Sequence, residues 1–342
     1  MTAPLRLRLD GAALAHNWRI LAAMSGDAAC GAAVKANGYG LGAAAVVERL
    51  AAAGCRDFFV ATWAEAEALA PLGVQISVLH GVREEDMAAA LRGVARPVLN
   101  TPAQVARWKA AGGGICDVMV DTGMNRLGLS TADVASGLLD GLTIETLMSH
   151  LACADEEVAM NDRQLAAFTA LFGMTGAKRM SLANSAGIGL GRKYAFDLTR
   201  PGLALYGGIP SPELGAIHQV VTPEAQILQR RTVRAGQTIG YNATFTAPAD
   251  TEVAILNIGY ADGYFRGFSN SGTALAEGRE LPVLGRISMD LVAVDVDGAP
   301  QLAEGDWLAL DYALPKAALQ SDMSQYELLT SLGARFDRIW TD

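Results

Sequence analysis

From about residue 11 to about residue 220, short apolar runs alternate with Ala-rich helical segments. This alternation constrains the fold most, because parallel strands must be joined by long crossovers, usually helices. The runs predict strands at Gly31–Lys35, Asp57–Thr62, Gln75–Leu79, Pro97–Leu99, Asp117–Asp121, Glu145–Ser149, Met180–Ala183 and Leu203–Tyr206. Between them, Gly40–Ala53 is rich in Ala, Val and Leu and ends at Gly54, and Trp63–Ala70 follows a cap at Thr62 and stops before Pro71. Thr101-Pro102 offers an N-cap followed by proline in the first helical turn. Asn161–Phe172 carries apolar residues at helical spacing. About eight strand–helix units in this stretch indicate an α/β fold, a TIM (β/α)8 barrel, with a doubly wound open sheet as the competing layout.

The pattern changes after residue 220. Gln226–Val233, Glu252–Leu256 and Leu291–Val296 are rich in β-branched residues and separated by glycine turns, which predicts a mostly β second domain. The alternating segment near Leu5–Leu9 precedes the first helix and is expected to join that sheet. The expected domains are therefore 11–220, and 221–342 with the strand at 1–10.

The chain has 342 residues, 51% hydrophobic and 18% charged, enough apolar content for a large core. A net charge of −9 weighs against nucleic acid or an anionic membrane as partner. The N-terminus shows no signal-peptide pattern and no apolar run is long enough for a membrane helix, so a cytoplasmic protein is expected. Cys30, Cys55, Cys116 and Cys153 lack CxxC spacing and read as reduced core thiols, with no metal site expected.

Lys35 closes an apolar run just before the chain turns through Gly38 and Gly40. Burial disfavours the charged form of lysine, and a neutral amine is a nucleophile that an aldehyde cofactor captures covalently. The bland alternative is a snorkelling lysine at a strand end. Arg126, His150, Ser185 and Arg200 also fall at or just beyond apolar runs. Each alone reads as a surface ion pair, a core histidine or a helix cap. In a barrel, however, all five converge on the face that holds the active site.

These residues lie in a series of ordered motifs. They are Ala33-Val-Lys-Ala-Asn-Gly-Tyr-Gly40, Val120-Asp-Thr-Gly-Met-Asn-Arg-Leu-Gly128, Ser149-His-Leu-Ala-Cys-Ala-Asp155, Ala183-Asn-Ser185 and Arg200-Pro-Gly-Leu-Ala-Leu-Tyr206. The second domain adds Ile239-Gly-Tyr-Asn-Ala-Thr-Phe245, Ile258-Gly-Tyr-Ala-Asp-Gly263 and Gly285-Arg-Ile-Ser-Met-Asp290. Over nearly its whole length the chain resembles the alanine racemases, pyridoxal-phosphate enzymes of fold type III. The resemblance implies a barrel, a β domain, pyridoxal phosphate held covalently on Lys35, and a head-to-tail homodimer with shared active sites. It implies that Tyr39 and Ser185 contact the phosphate with the backbone at Gly202 and Leu203, that His150 stacks on the ring, and that Arg200 faces the ring nitrogen. Lys35 and the partner's Tyr241 would be the two catalytic bases. Arg126 would support the substrate carboxylate, with the partner's Tyr260 and the partner's Met289 backbone near it, and Trp340 would reach the phosphate. The implied reaction interconverts L-alanine and D-alanine, supplying D-alanine for peptidoglycan.

Three positions depart from the family pattern. Met119 stands where many relatives carry a carbamylated lysine that props the arginine aligned with Arg126. Ser181 stands where a histidine often supports the arginine facing the ring, and its hydroxyl is expected to accept from Arg200. Trp340 stands where a tyrosine often reaches the phosphate, and an indole N–H donates but accepts nothing. A serine or broader amino-acid racemase of the same fold is the nearest alternative. A non-catalytic pyridoxal-phosphate carrier is disfavoured by residues 221–342. A decarboxylase is disfavoured because every cysteine precedes residue 160.

Overall fold

Seven of the eight predicted parallel strands form, most of them slightly displaced from their apolar runs. The computed structural model describes residues 3–342, which fall into two compact units. One is Leu14–His218; the other is Gln219–Asp342 with the N-terminal segment through Ala13.

In the first unit, seven parallel strands pair in sequence order: Ala32–Ala33, Asp57–Val60, Gln75–Val78, Arg96–Leu99, Cys116–Met119, Ile144–Met148 and Arg179–Ser181. A separate two-stranded parallel pair joins Leu198–Thr199 to Ala29–Cys30. Backbone hydrogen bonds from Asp197 N to Met180 O (3.0 Å) and from Ala33 N to Pro201 O (2.8 Å) run to either side of it. The sheet curls strongly enough that Phe59, Val98, Met119, Met148 and Leu198, from five different strands, share one buried cluster. Met119, at the position of the family's modified lysine, is thus part of the apolar interior.

Two expectations need correction here. Leu203–Tyr206 is a 3-10 helix, and the strand in that region is Leu198–Thr199. All four residues of the 3-10 turn are buried, and an apolar run enclosed on every side carries no period that separates strand from helix. Of the predicted strand Gly31–Lys35 only Ala32–Ala33 is strand; Ala29–Cys30 pairs separately ahead of it, and Lys35 lies beyond it. The helices follow their caps. The Thr62 hydroxyl accepts from Glu65 N while the Glu65 carboxylate accepts from Thr62 N, fixing the start of Trp63–Leu69. Thr101 accepts from Gln104 N ahead of Pro102–Ala110. The helix expected from Gly40 begins at Ala43, and that expected at Asn161–Phe172 spans Ala159–Thr169.

The two ends of the parallel strands differ in chemistry. The starting ends carry a buried ion network: Arg179 makes paired hydrogen bonds to Asp57 (2.7 and 3.1 Å), Arg96 lies 3.7 Å from Asp57 and 3.5 Å from Asp117, and Ser77 donates to Asp117 (2.6 Å). Lys35, His150, Ser185 and Arg200 all follow the finishing ends. In barrel-type folds the starting end carries stability and the finishing end carries chemistry. Burial pushes the Cys30, Cys55 and Cys116 thiols above their usual range, which keeps them inert.

In the second unit, eight strands form one sheet in the order Thr251–Leu256, Val292–Asp295, Arg279–Leu284, Thr273–Ala276, Trp307–Leu310, Val221–Val233, Leu5–Asp10, Asp337–Thr341. The first of these also pairs with Val221–Val233, so six strands close into a ring. The 13-residue strand Val221–Val233 serves two sets of neighbours because an irregularity between Ile227 and Gln229 bends it. Leu5–Asp10 lies antiparallel to it and parallel to Asp337–Thr341, with Leu9 opposite Trp340. Among the described residues no helix is long and apolar enough to cross a membrane.

Candidate active site

Five consecutive residues after Lys35 have positive φ: Ala36 (53°), Asn37 (54°), Gly38 (64°), Tyr39 (54°) and Gly40 (85°). A left-handed turn costs an L-residue about 1–2 kcal/mol, and only the two glycines escape that penalty. The turn is held by Gly38 N to Val34 O (2.8 Å), Gly40 N to Ala36 O (2.9 Å), and the Asn37 side chain accepting from Ala43 N (2.9 Å). Gly38 is needed twice, for its φ and because a Cβ would press on the Ala43 backbone at 3.1 Å. The turn lifts Lys35 out of the sheet ladder at the strand's finishing end and swings Tyr39 back inward.

Tyr39 is buried, with its ring stacked on Tyr206 at 4.6 Å. Its hydroxyl approaches Gly202 so closely that a Cβ there would overlap it. The buried Ser185 hydroxyl accepts from Gly202 N (2.9 Å) and Ala204 N (3.2 Å). Asn184 fixes Ser185 by capping the following turn through Gly187 N (2.8 Å). Two hydroxyls and two backbone N–H groups therefore line a cradle that only glycine leaves open. Its two hydroxyls can donate to the oxygens of a phosphate.

Arg126, Glu65 and His150 interact electrostatically with Lys35. Burial, and then the charge of Arg126, lower the Lys35 pKa from its usual 10.5, with Glu65 opposing them. Burial, helped by Arg200, Arg126 and Lys35, drops His150 to about 3, so its ring is neutral near pH 7. The His150 carbonyl accepts from Gln164 Nε2 (2.9 Å), and the same side chain accepts from Ala152 N (2.8 Å). Arg200 is buried and donates to the Ser181 hydroxyl and to Ser149 O (2.5 Å). Burial lowers it to about 10, which leaves the guanidinium charged at neutral pH. Ser181 thus does accept from Arg200, as its hydroxyl allows. Arg126 is exposed, and its backbone N–H donates to Asp121 (3.0 Å).

The structure thus gathers Lys35, Tyr39, Arg126, His150, Ser185, Arg200, Gly202 and Leu203 in the first unit. Tyr241, Tyr260, Met289 and Trp340 belong to the second. There the Tyr260 and Met289 loops are fastened by Tyr260 N to Ser288 O and Ala261 N to Met289 O, both 3.1 Å. Tyr241 opens a turn beside Gly285-Arg286, and its side chain is 63% exposed. Met289 is 54% exposed, so this unit presents a phenol and a thioether to its surface. Trp340 is half-buried on the strand beside Leu9.

Three residues escaped the sequence reading. Gln164 orients the His150 loop. Arg335 donates to Asp262 (2.6 Å) and Asp290 (2.8 Å), tying the Tyr260 turn to the residue after Met289. Glu65 accepts from Ala36 N (2.6 Å). Only Glu65 had a local signal, the Thr62-x-x-Glu65 spacing of a capping box. No group of three or more His, Cys, Asp or Glu side chains among the described residues is placed to hold a metal ion.

Comparison with known proteins agrees with this geometry. The family model for the alanine racemase N-terminal domain matches residues 9–210, and that for the alanine racemase C-terminal domain matches residues 220–340. An alanine racemase of Acidiphilium cryptum is 41% identical, over 97% of this chain and 98% of that protein. The crystal structure of alanine racemase from Bartonella henselae, with covalently bound pyridoxal phosphate, is 36% identical and superposes with a TM-score of 0.89, covering 98% of this chain and 99% of that one. The biosynthetic alanine racemase of Pseudomonas aeruginosa is 31% identical with a TM-score of 0.90, covering 100% of both chains. Matched along both of its units, the chain belongs to the alanine racemase family.

Proposed function

We propose that this protein interconverts L-alanine and D-alanine using pyridoxal phosphate held covalently by Lys35, and that it supplies D-alanine for peptidoglycan from the cytoplasm. The observation that carries the reading is an amine of lowered pKa, in the field of Arg126, in the same unit as a hydroxyl-lined cradle that a Cβ at Gly202 would fill. In this reading the curled sheet with the Leu198–Thr199 pair is a closed (β/α)8 barrel. The protein works as a homodimer in which the exposed Tyr241 and Met289 and the half-buried Tyr260 complete the partner's site.

When bound, pyridoxal phosphate supplies the electron sink that makes the Cα proton of an amino acid removable. Ser185, Tyr39 and the Gly202 and Leu203 amides bind its phosphate. His150 stays neutral and packs on the ring. Arg200, fixed by Ser181 and Ser149, points its charge at the ring nitrogen; a guanidinium has donors and no acceptor, so no proton passes to the ring there. Arg126, with the partner subunit's Tyr260 and the partner subunit's Met289 backbone, holds the substrate carboxylate. Lys35 moves the Cα proton on one face, and burial with the charge of Arg126 makes its neutral amine more accessible than that of an exposed lysine. Tyr241 of the partner subunit moves it on the other.

The experiment is a chiral assay in deuterated water with wild-type protein and Tyr241→Phe, with serine run beside alanine. The enantiomers have equal free energy, so loss of either base must depress both directions of racemisation together. Tyr241→Phe is expected to abolish racemisation while Lys35 continues to exchange the Cα hydrogen of D-alanine with solvent. Racemisation by that variant at near the wild-type rate would refute the two-base reading.

A further inference from the structure

We propose that Glu65 is the positioning residue of the lysine turn: one carboxylate pins the strained backbone after Lys35 to the end of the neighbouring strand. The inference rests on the reading of Lys35 as the residue that holds the cofactor. Ala33 pairs with Phe59, and Val34 N still donates to Phe59 O (2.8 Å), so the two strands stay in register up to this point. Beyond it the left-handed run begins, and regular parallel pairing cannot continue through residues with φ near +54°. Glu65 takes over. One oxygen accepts from Ala36 N at 2.6 Å; the other accepts from Ala61 N at 2.8 Å and Thr62 N at 3.1 Å.

An ordinary capping-box glutamate closes only on its own N-cap. This one also reaches back 29 residues to the amide directly after Lys35. The bond to Ala36 is charge-assisted and short, the type that fixes position as well as energy. It restrains the first left-handed residue, and through it the direction in which Lys35 leaves the strand. The same charge favours the protonated amine, opposing the effects of burial and Arg126. Glu65 thereby fixes the backbone from which Lys35 projects and offsets part of the loss of its charge.

Three full-length variants test this: Glu65→Gln, Glu65→Ala and Thr62→Ala. Thr62→Ala weakens the same helix cap without touching the bond to Ala36, so it isolates the purely structural contribution. Two readouts are taken. The first is the pH profile of Lys35 modification by a small acylating reagent in cofactor-free protein, read by mass spectrometry. The second is the rate at which borohydride traps pyridoxal phosphate on Lys35. Glu65→Gln and Glu65→Ala are expected to shift the acylation profile to lower pH and to slow trapping about tenfold, the factor expected from one lost charge-assisted hydrogen bond. Thr62→Ala is expected to lower the melting temperature while leaving both Lys35 readouts as in the wild type. Wild-type behaviour in both Glu65 variants, or Thr62→Ala reproducing their effect, overturns the proposal. If wild-type protein traps no pyridoxal phosphate, the functional reading fails instead, and the acylation profile, which needs no cofactor, still decides the part played by Glu65.

Discussion

Replacing His150 with asparagine should make the cofactor-free protein less sensitive to acid. His150 in the fold is flanked by Arg200, Arg126 and Lys35, and with burial they hold it at about 3, against 6.5 for a free imidazole. Between those values the unfolded chain binds a proton that the folded chain refuses. Stability therefore rises with pH across this window and is lost as pH falls through it, by about 1.4 kcal/mol per unit. Integrated from about pH 7.5 to about pH 4.5, the His150 contribution comes to roughly 2.5 kcal/mol. Carboxylates also titrate in this range, but they do so equally in both proteins and cancel in the difference. Urea unfolding of wild type and His150→Asn at the two pH values gives the four stabilities required. The loss on acidification is expected to be smaller in the variant by roughly 2 kcal/mol or more. Equal losses would mean that the ring is already charged in the fold, and the cationic surround of Lys35 would have been misread.

Breaking the ion network at the starting ends of the strands should harm stability and spare chemistry. Asp57→Ala removes the partner of a paired Arg179 and a near neighbour of Arg96, and a cost of about 3 kcal/mol is expected in urea unfolding. Racemisation per folded molecule should be unchanged; a cost under about 1 kcal/mol would show that the pair is solvated like a surface bridge. Gly202→Ala should weaken pyridoxal phosphate binding, measured by equilibrium dialysis, by about tenfold or more, because the added methyl displaces the Tyr39 hydroxyl. Gly114→Ala, with nothing within 4 Å of the new methyl, is the neutral comparator, and equal affinities in the two would dismiss the cradle.

The fold was legible where one residue type suffices to dictate local geometry. Thr62 and Thr101 cap where their hydroxyls predict, and Gly54 ends the helix Ala43–Ala53 in a φ of 122° that glycine adopts without strain. Legibility failed where burial removed the period, at Leu203–Tyr206, and where the chain bends against its own preference, after Lys35. Nothing in alanine or tyrosine announces a left-handed conformation; Ala36 and Tyr39 adopt it because Glu65, Asn37 and Gly38 surround them with bonds and space that no other conformation uses. The site shows the same division. Lys35, His150 and Arg200 stood out because their chemistry is costly to bury, whereas Gln164 and Glu65 act through the backbone of other residues and Arg335 through two carboxylates, and of these only Glu65 carries a local sign, its capping-box spacing. Supports of this kind are distributed along the chain because each must reach a strand or loop that folding brings alongside it, 14 residues away for Gln164 and 73 for Arg335. The reactive groups can therefore be read one at a time, but the geometry that makes them reactive is a property of the packed structure.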